Sequence, residues 1–248
     1  MILMLFVARP PIIEIVKSFF PIICYRYWFM TTYFVLILLV PIINRAFDSI
    51  SKESYKKIIA VLIICFCVWQ TVLPFVTTVD DMQGYSIIWF VTVYIVGGYI
   101  RKYGISIVSN KWRIPIALLA ATAYLLYSLV VQVISEKTNI TTHIPYYNSI
   151  FALIASVALF NFFYSVNIKG RVGQIIICVS KSVFAIYLIS DNPLVRGILY
   201  SKVLKIDNHI NNGIKSVSFV LISSIMLFII CLGIDVIRRG VISILKRK

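Results

Sequence analysis

Carboxylates are scarce in this chain: nine Asp and Glu against 24 Lys and Arg in 248 residues, with only two His. Charged residues make up 13% of the sequence and apolar ones 60%, a balance that leaves a soluble domain of this length unable to cover its apolar surface. Catalytic signatures are missing as well. There is no Gly-rich phosphate loop, no HExxH and no GxSxG, so no local motif names a reaction by itself. There is no CxxC either. Cys65 and Cys67, two apart on a helix, point to different sides and do not share a metal. With Cys24, Cys178 and Cys231 they read as small hydrophobes, and no metal site is expected. Internal repeats and low-complexity linkers are absent, and no soluble catalytic domain fits between the apolar segments.

What is present is a succession of apolar runs, with a mean hydropathy of +0.95. Stretches such as YFVLILLVPII (from Tyr33) and IIAVLIICFCVW (from Ile58) lack the alternation of a membrane β-barrel and read as transmembrane helices. Seven spans of bilayer length are expected: Tyr27–Ile43, Lys57–Thr77, Gly84–Ile100, Ile114–Ile134, Tyr147–Val166, Ser182–Leu204 and Lys215–Ile237. The predicted fold class is therefore all-α, a polytopic membrane helix bundle forming a single membrane-embedded domain over residues 1–248. Met1–Ala8 is apolar but too short to cross at 1.5 Å per residue, and is expected to be an N-terminal helix stub, the tail of a helix whose beginning is absent.

The net charge of +15 does not point to nucleic acid, because Lys and Arg sit in the short loops between spans, where they set orientation. Alternate loops form two sets. The first holds Arg45, Lys52, Lys56 and Lys57; Arg101, Lys102, Lys111 and Arg113; Lys169, Arg171 and Lys181; and the basic C-terminal tail. It carries more than twice the basic residues of the second. The bias predicts a multi-pass plasma-membrane protein with a cytoplasmic C-terminus, and places the loops holding Asp80, Asp81 and Glu136 outside.

One run is interrupted. Ser182–Leu204 is apolar at both ends, but its middle carries Ser190, Asp191, Asn192, Pro193 and Arg196. Two registers compete. A span over Val172–Ser190 leaves the polar motif outside but puts Lys181 near mid-membrane, at about 2.5–3.5 kcal/mol. A span over Ser182–Leu204 makes Lys181 an anchor and sets Asp191 and Asn192 at mid-depth, where a carboxylate needs a bundle interior or a wet cavity. Elsewhere, Tyr25, Tyr27, Trp28, Thr31, Thr32 and Tyr33 fit an interfacial aromatic belt, or a platform that stacks on a sugar ring. His143 and His209 fall in or near outer loops, as solvated side chains or as general bases. Asn139-Ile140-Thr141 matches the glycosylation acceptor pattern.

Three stretches together resemble a known family. YWFMTTYFVLILLVPIINRAF (Tyr27 to Phe47), WFVTVYIVGGYIRKYG (Trp89 to Gly104) and VSKSVFAIYLISDNPLVR (Val179 to Arg196) are similar, in that order, to segments of the integral-membrane acyltransferases of family three, the polysaccharide O-acetyltransferases. The family commonly has His where this chain has Ser190, and its catalytic His lies in helices that precede the segments seen here. No residue of this chain matches that motif, so a fragment that transfers acetyl groups poorly by itself is expected. The resemblance implies acetyl-CoA as co-substrate, with no bound cofactor, approaching from the cytoplasm of a bacterial cell. The acetyl group would go to a hydroxyl of a cell-surface glycan. Arg101 and Lys102 become the expected acyl-donor ligands. Tyr27, Trp28, Tyr187, Ser190, Asn192 and Arg196 become the expected substrate contacts, with Asp191, His143 and His209 as candidate catalytic groups. The resemblance also favours the Ser182–Leu204 register. The rival class is a transporter or flippase for a glycan or lipid-linked substrate, since broken helices with mid-membrane polar residues mark that class too. Transporters usually show two comparable halves, and only one broken helix is legible here.

Overall fold

A computed structural model describes residues 11–74, 83–104, 110–138, 146–204 and 214–245. Met1–Ala8, Asp80, Asp81, Asn139-Ile140-Thr141, His143, His209 and the last three residues, 246–248, lie outside the described residues. Every regular element among the described residues is helical. They form two compact units, residues 28–167 and the pair of segments 1–27 and 168–248.

The first unit holds α2 (Trp28–Asp48), α3 (Lys52–Val72), α4 (Ile87–Tyr103), α5 (Arg113–Thr138) and α6 (Ile150–Ser165). Serines start three of these helices in the way the sequence allows. Ser51, Ser86 and Ser149 each accept, through the side-chain oxygen, the backbone N–H of the residue three further on. Gly104, at φ 75°, ends α4 in the left-handed region that favours glycine. The antiparallel pair α5 and α6 packs along most of its length, and α4 packs against both α2 and α3. A π-helical turn at Ile64–Val68 widens α3, and Asn148 Nδ2 donates to the Phe66 carbonyl there at 3.1 Å. Cys67, on that turn, is fully buried while Cys65 is exposed, so the two thiols do lie on different sides. Gly84 is required where the chain enters α4: a Cβ there would sit 2.8 Å from both the Asn148 nitrogen and the Tyr147 Cβ.

The second unit holds α1 (Ile12–Phe19), α7 (Gly170–Ser180), α8 (Val183–Ser190), α9 (Pro193–Gly197), which runs into a π-helical turn at Ile198–Val203, and α10 (Ile214–Leu245). In α1, Glu14 accepts from Lys17 Nζ at 3.0 Å and from Arg26 Nη1 at 2.8 Å; these two cations hold its carboxyl below the usual value. α8 packs against α10.

The burial pattern is the reverse of a soluble core. The fully buried side chains are Asn148, Thr92, Asp235, Cys67, Cys231, Ser149 and Ser182, while Leu119, Phe163 and Ile222 stand more than 60% exposed on their helices. Such surfaces suit lipid as the solvent, with small and polar groups gathered between helices. Among the described residues, four helices are long and apolar enough to cross a bilayer: α2, α3, α5 and the Ser218–Ile244 stretch of α10. A fifth is added if α7 and α8 count as one span bent by 43°. Thus four to five candidate spans stand among the described residues, where seven are expected. α4 and α6, at 17 and 16 residues, reach only about 24–26 Å, short of a hydrocarbon core of about 30 Å.

The interrupted run is broken into short helices. Gly170–Ser180 and Val183–Ser190 are apolar enough to cross only as a bent pair, a broken span or a re-entrant loop, with the bend at Lys181–Ser182, and α8 stops at Ser190, well before Leu204. The physical reason is Pro193. It has no N–H to continue α8 and disfavours helical geometry at Asn192, so α8 ends at Ser190. Pro193 then opens α9 at its first position, with Asn192 accepting the Val195 and Arg196 N–H groups.

Candidate functional site

Two sets of expected site residues come together, one within each unit. In the segments 1–27 and 168–248, Tyr27 is the centre. Its hydroxyl donates to the Leu188 carbonyl at 3.1 Å and accepts from Asn192 Nδ2 at 2.7 Å, and its ring meets Tyr187 edge-on at 6.0 Å. Ser190 donates to the Tyr187 carbonyl at 3.3 Å, closing the end of α8 on itself. Asp191 is partly buried and lies 3.5 Å from the largely exposed Arg196 guanidinium. The capping of α8 and the restart at Pro193 therefore set Tyr187, Ser190, Asp191, Asn192 and Arg196 beside Tyr27. That arrangement offers a carboxylate, an amide and a phenol in one patch.

The other expected residues lie in residues 28–167. Trp28 belongs to an aromatic cluster: Tyr85 meets it edge-on at 4.4 Å and Tyr147 stacks on it at 6.0 Å. Arg101 and Lys102 leave the last turn of α4 beside a cavity of about 570 Å³, whose wall also carries the polar residues Asn44, Asp48, Tyr55 and Tyr94. Tyr94 donates to Asn44 Oδ1 at 2.8 Å, and the buried Tyr55 hydroxyl donates to the Ile95 carbonyl at 3.1 Å. The two basic neighbours differ in role. Lys102 Nζ is bound to the Phe47 and Asp48 carbonyls, both at 3.3 Å, and so caps the C-terminus of α2. Arg101 has no such tie among the described residues and lines both this cavity and a second one of about 400 Å³.

The family model described as an acyltransferase domain matches residues 2–236. The chain belongs to acyltransferase family three. No curated protein and no solved structure gives a significant match to it. The family's three segments can now be placed. The first forms α2, with Asn44 and Phe47 on the larger cavity wall. The Gly-Gly-Tyr of the second puts Gly97 and Gly98 on that same wall. The third carries the bend at Lys181–Ser182 and the patch around Tyr27.

Gly98 shows why that segment takes glycine. A Cβ there would lie 2.7 Å from the Tyr55 hydroxyl oxygen. Gly98→Ala is therefore expected to displace Tyr55, break its bond to Ile95 and cost about 1–3 kcal/mol. Thermal unfolding in detergent reads this. The same substitution in a Tyr55→Phe background, where the clashing oxygen is gone, should cost much less; equal costs would show that the contact is not the cause.

Several residues were not singled out from sequence. Tyr55 and Asn161 carry no local motif. Asn44 lay inside a quoted segment. Asp235 had a legible signal that was missed: one carboxylate in CLGIDVIRRG with arginines three and four residues on, the spacing of helical ion pairs. Asp235 is fully buried. It accepts from Arg238 at 2.7 and 2.9 Å and pairs with Arg239 Nε at 3.1 Å; Arg239 Nη2 donates to the buried Ser182 hydroxyl at 2.7 Å. This network ties α10 to Ser182 in the α7–α8 bend.

Proposed function

We propose that the protein is an acyltransferase of the bacterial plasma membrane that moves an acetyl group from acetyl-CoA to a hydroxyl of a cell-surface glycan. The observation that carries this reading is the cavity beside Arg101, in a chain of this family: a basic, partly polar recess at the helix end that carries the family's Gly-Gly-Tyr segment. Arg101 supplies a charge-assisted donor for a phosphate of the acyl donor. The basic loop bias puts this recess on the cytoplasmic side, where acyl-CoA is found. The phenol, amide and carboxylate around Tyr27 supply the hydrogen-bonding groups that a polyhydroxylated acceptor needs.

In the reaction the acceptor hydroxyl oxygen bonds to the thioester carbonyl carbon, the carbon–sulfur bond breaks, and the hydroxyl proton ends on the departing thiolate. A general base for that proton is sought among Asp191, His143 and His209. Asp191 is the one within the described residues, where its carboxylate lies 3.5 Å from the Arg196 guanidinium.

The test is expression in a strain lacking its own glycan O-acetyltransferase, with O-acetyl signals on the surface polymer read by NMR. Acetylation by the wild type that falls about 10²–10⁴-fold in Asp191→Asn supports the reading and the base. Acetylation unchanged in that variant moves the base to a histidine. A polymer that reaches the surface only when this protein is present, yet stays unacetylated, would favour the transporter class.

A further inference from the structure

The second cavity beside Arg101 has a different chemistry from the first. It lies between the end of α4, the start of α5 and the last turns of α6. Arg101 and Arg113 bring two guanidinium groups to it, and the nearly buried Asn161 adds an amide. Arg113 Nε is buried and has no hydrogen-bond partner among the described residues, an arrangement that costs free energy unless an acceptor fills it. Among the described residues no carboxylate lines the cavity. Its other walls are apolar: Ile100, Phe160 and Tyr164. Phe160 and Tyr164 stack at 6.2 Å and are 55% and 81% exposed on α6, a helix whose outer side is apolar along its length.

Two guanidinium groups with an unsatisfied N–H call for a multi-acceptor anion. The open aromatic side calls for an apolar chain that continues from it. We propose that this cavity binds the phosphate of an anionic membrane phospholipid, with Arg101, Arg113 and Asn161 on the headgroup and Phe160 and Tyr164 along the first part of an acyl chain. Basic recesses between membrane helices take anionic headgroups in this way, and Tyr is favoured at the level of the headgroups. The site uses one residue, Arg101, in common with the proposed acyl-donor cavity. Lipid bound there fixes one edge of that cavity, and lipid binding is expected whether or not the protein transfers acetyl groups.

The experiment uses the whole chain, purified in mild detergent and relipidated with phosphatidylglycerol or phosphatidylcholine, with retained lipid counted by native mass spectrometry. Wild type should retain about one phosphatidylglycerol and no phosphatidylcholine through delipidation. Arg113→Gln should weaken that retention about fivefold or more, the equivalent of about 1 kcal/mol for one basic group at the headgroups, while Arg113→Lys keeps most of it. Equal retention in wild type and Arg113→Gln overturns the proposal. So does displacement of the lipid by micromolar CoA, because the site then belongs to a soluble phosphate donor. Displacement by millimolar inorganic phosphate alone overturns it too, since the apolar wall then contributes nothing. Should Arg113→Gln fail to fold, photolabelling of the wild type with a diazirine phosphatidylglycerol decides: label on the peptide holding Phe160 and Tyr164 supports the site, and label elsewhere refutes it.

Discussion

Asp235→Leu should destabilise the protein by about 3 kcal/mol. Removing one member of a buried ion pair typically costs about 3–5 kcal/mol, because the partner is left buried without its counter-charge. The lower end applies here. The Asp235 side chain is fully buried, but Arg238 and Arg239 remain 56% and 32% exposed and can partly rehydrate. Arg239 would also keep its bond to Ser182 without the carboxylate that orients it. The midpoint of thermal unfolding in detergent measures the loss. The double change Asp235→Leu with Arg239→Leu separates charge from packing: replacing a buried pair by apolar groups is often neutral, so it should recover part of the stability. A single variant as stable as wild type would mean that the network does not hold the bend.

On the proposed acyl-donor role, Arg101→Gln should raise KM for acetyl-CoA about 10- to 100-fold and change kcat little. The estimate follows from one charged hydrogen-bonding group worth about 1.5–3 kcal/mol in binding donor and transition state alike. Lys102→Gln should raise KM less than about threefold. Its ammonium already serves the Phe47 and Asp48 carbonyls, so the substitution should show up as a small loss of stability, about 0.3–1 kcal/mol at a helix end. Steady-state kinetics with varied acetyl-CoA compares the two. Equal effects on KM would restore the view that the basic pair acts as a unit, and an effect of Arg101→Gln on kcat alone would move Arg101 from donor binding to the chemical step.

Adjacent residues on one helix end are indistinguishable in a sequence, and the Arg101–Lys102 pair shows how far pattern carries. Spacing announced two cations at the end of α4. Which of them is spent on a neighbouring helix depends on where α2 ends, and that is set by packing between segments some 50 residues apart. The Tyr27 patch is a second case. Tyr187, Ser190, Asp191, Asn192 and Arg196 stand within ten residues, so their proximity needed no fold; that Tyr27 joins them through Asn192 and Leu188 is a contact across more than 160 residues. The helix end inside Ser182–Leu204 has a local cause. Hydropathy sums over a window, whereas Pro193 acts at one bond, and the helix ends there whatever the average around it.

By itself the sequence determined the solvent, the helical class and the family. Each follows from properties summed over many residues: too few charges, apolar runs without alternation, and three ordered segments spread over much of the chain. Tertiary structure alone decided which polar groups are buried and which are free. Asp235 closes on Arg238 and Arg239, which reaches Ser182; Tyr55 fills the space that Gly98 leaves; and Arg113 keeps an N–H without a partner among the described residues. The physical reason is that hydrophobic transfer scales with area and can be added along a chain, while a hydrogen bond or ion pair depends on two groups meeting within about 3 Å, which only the packed helices determine.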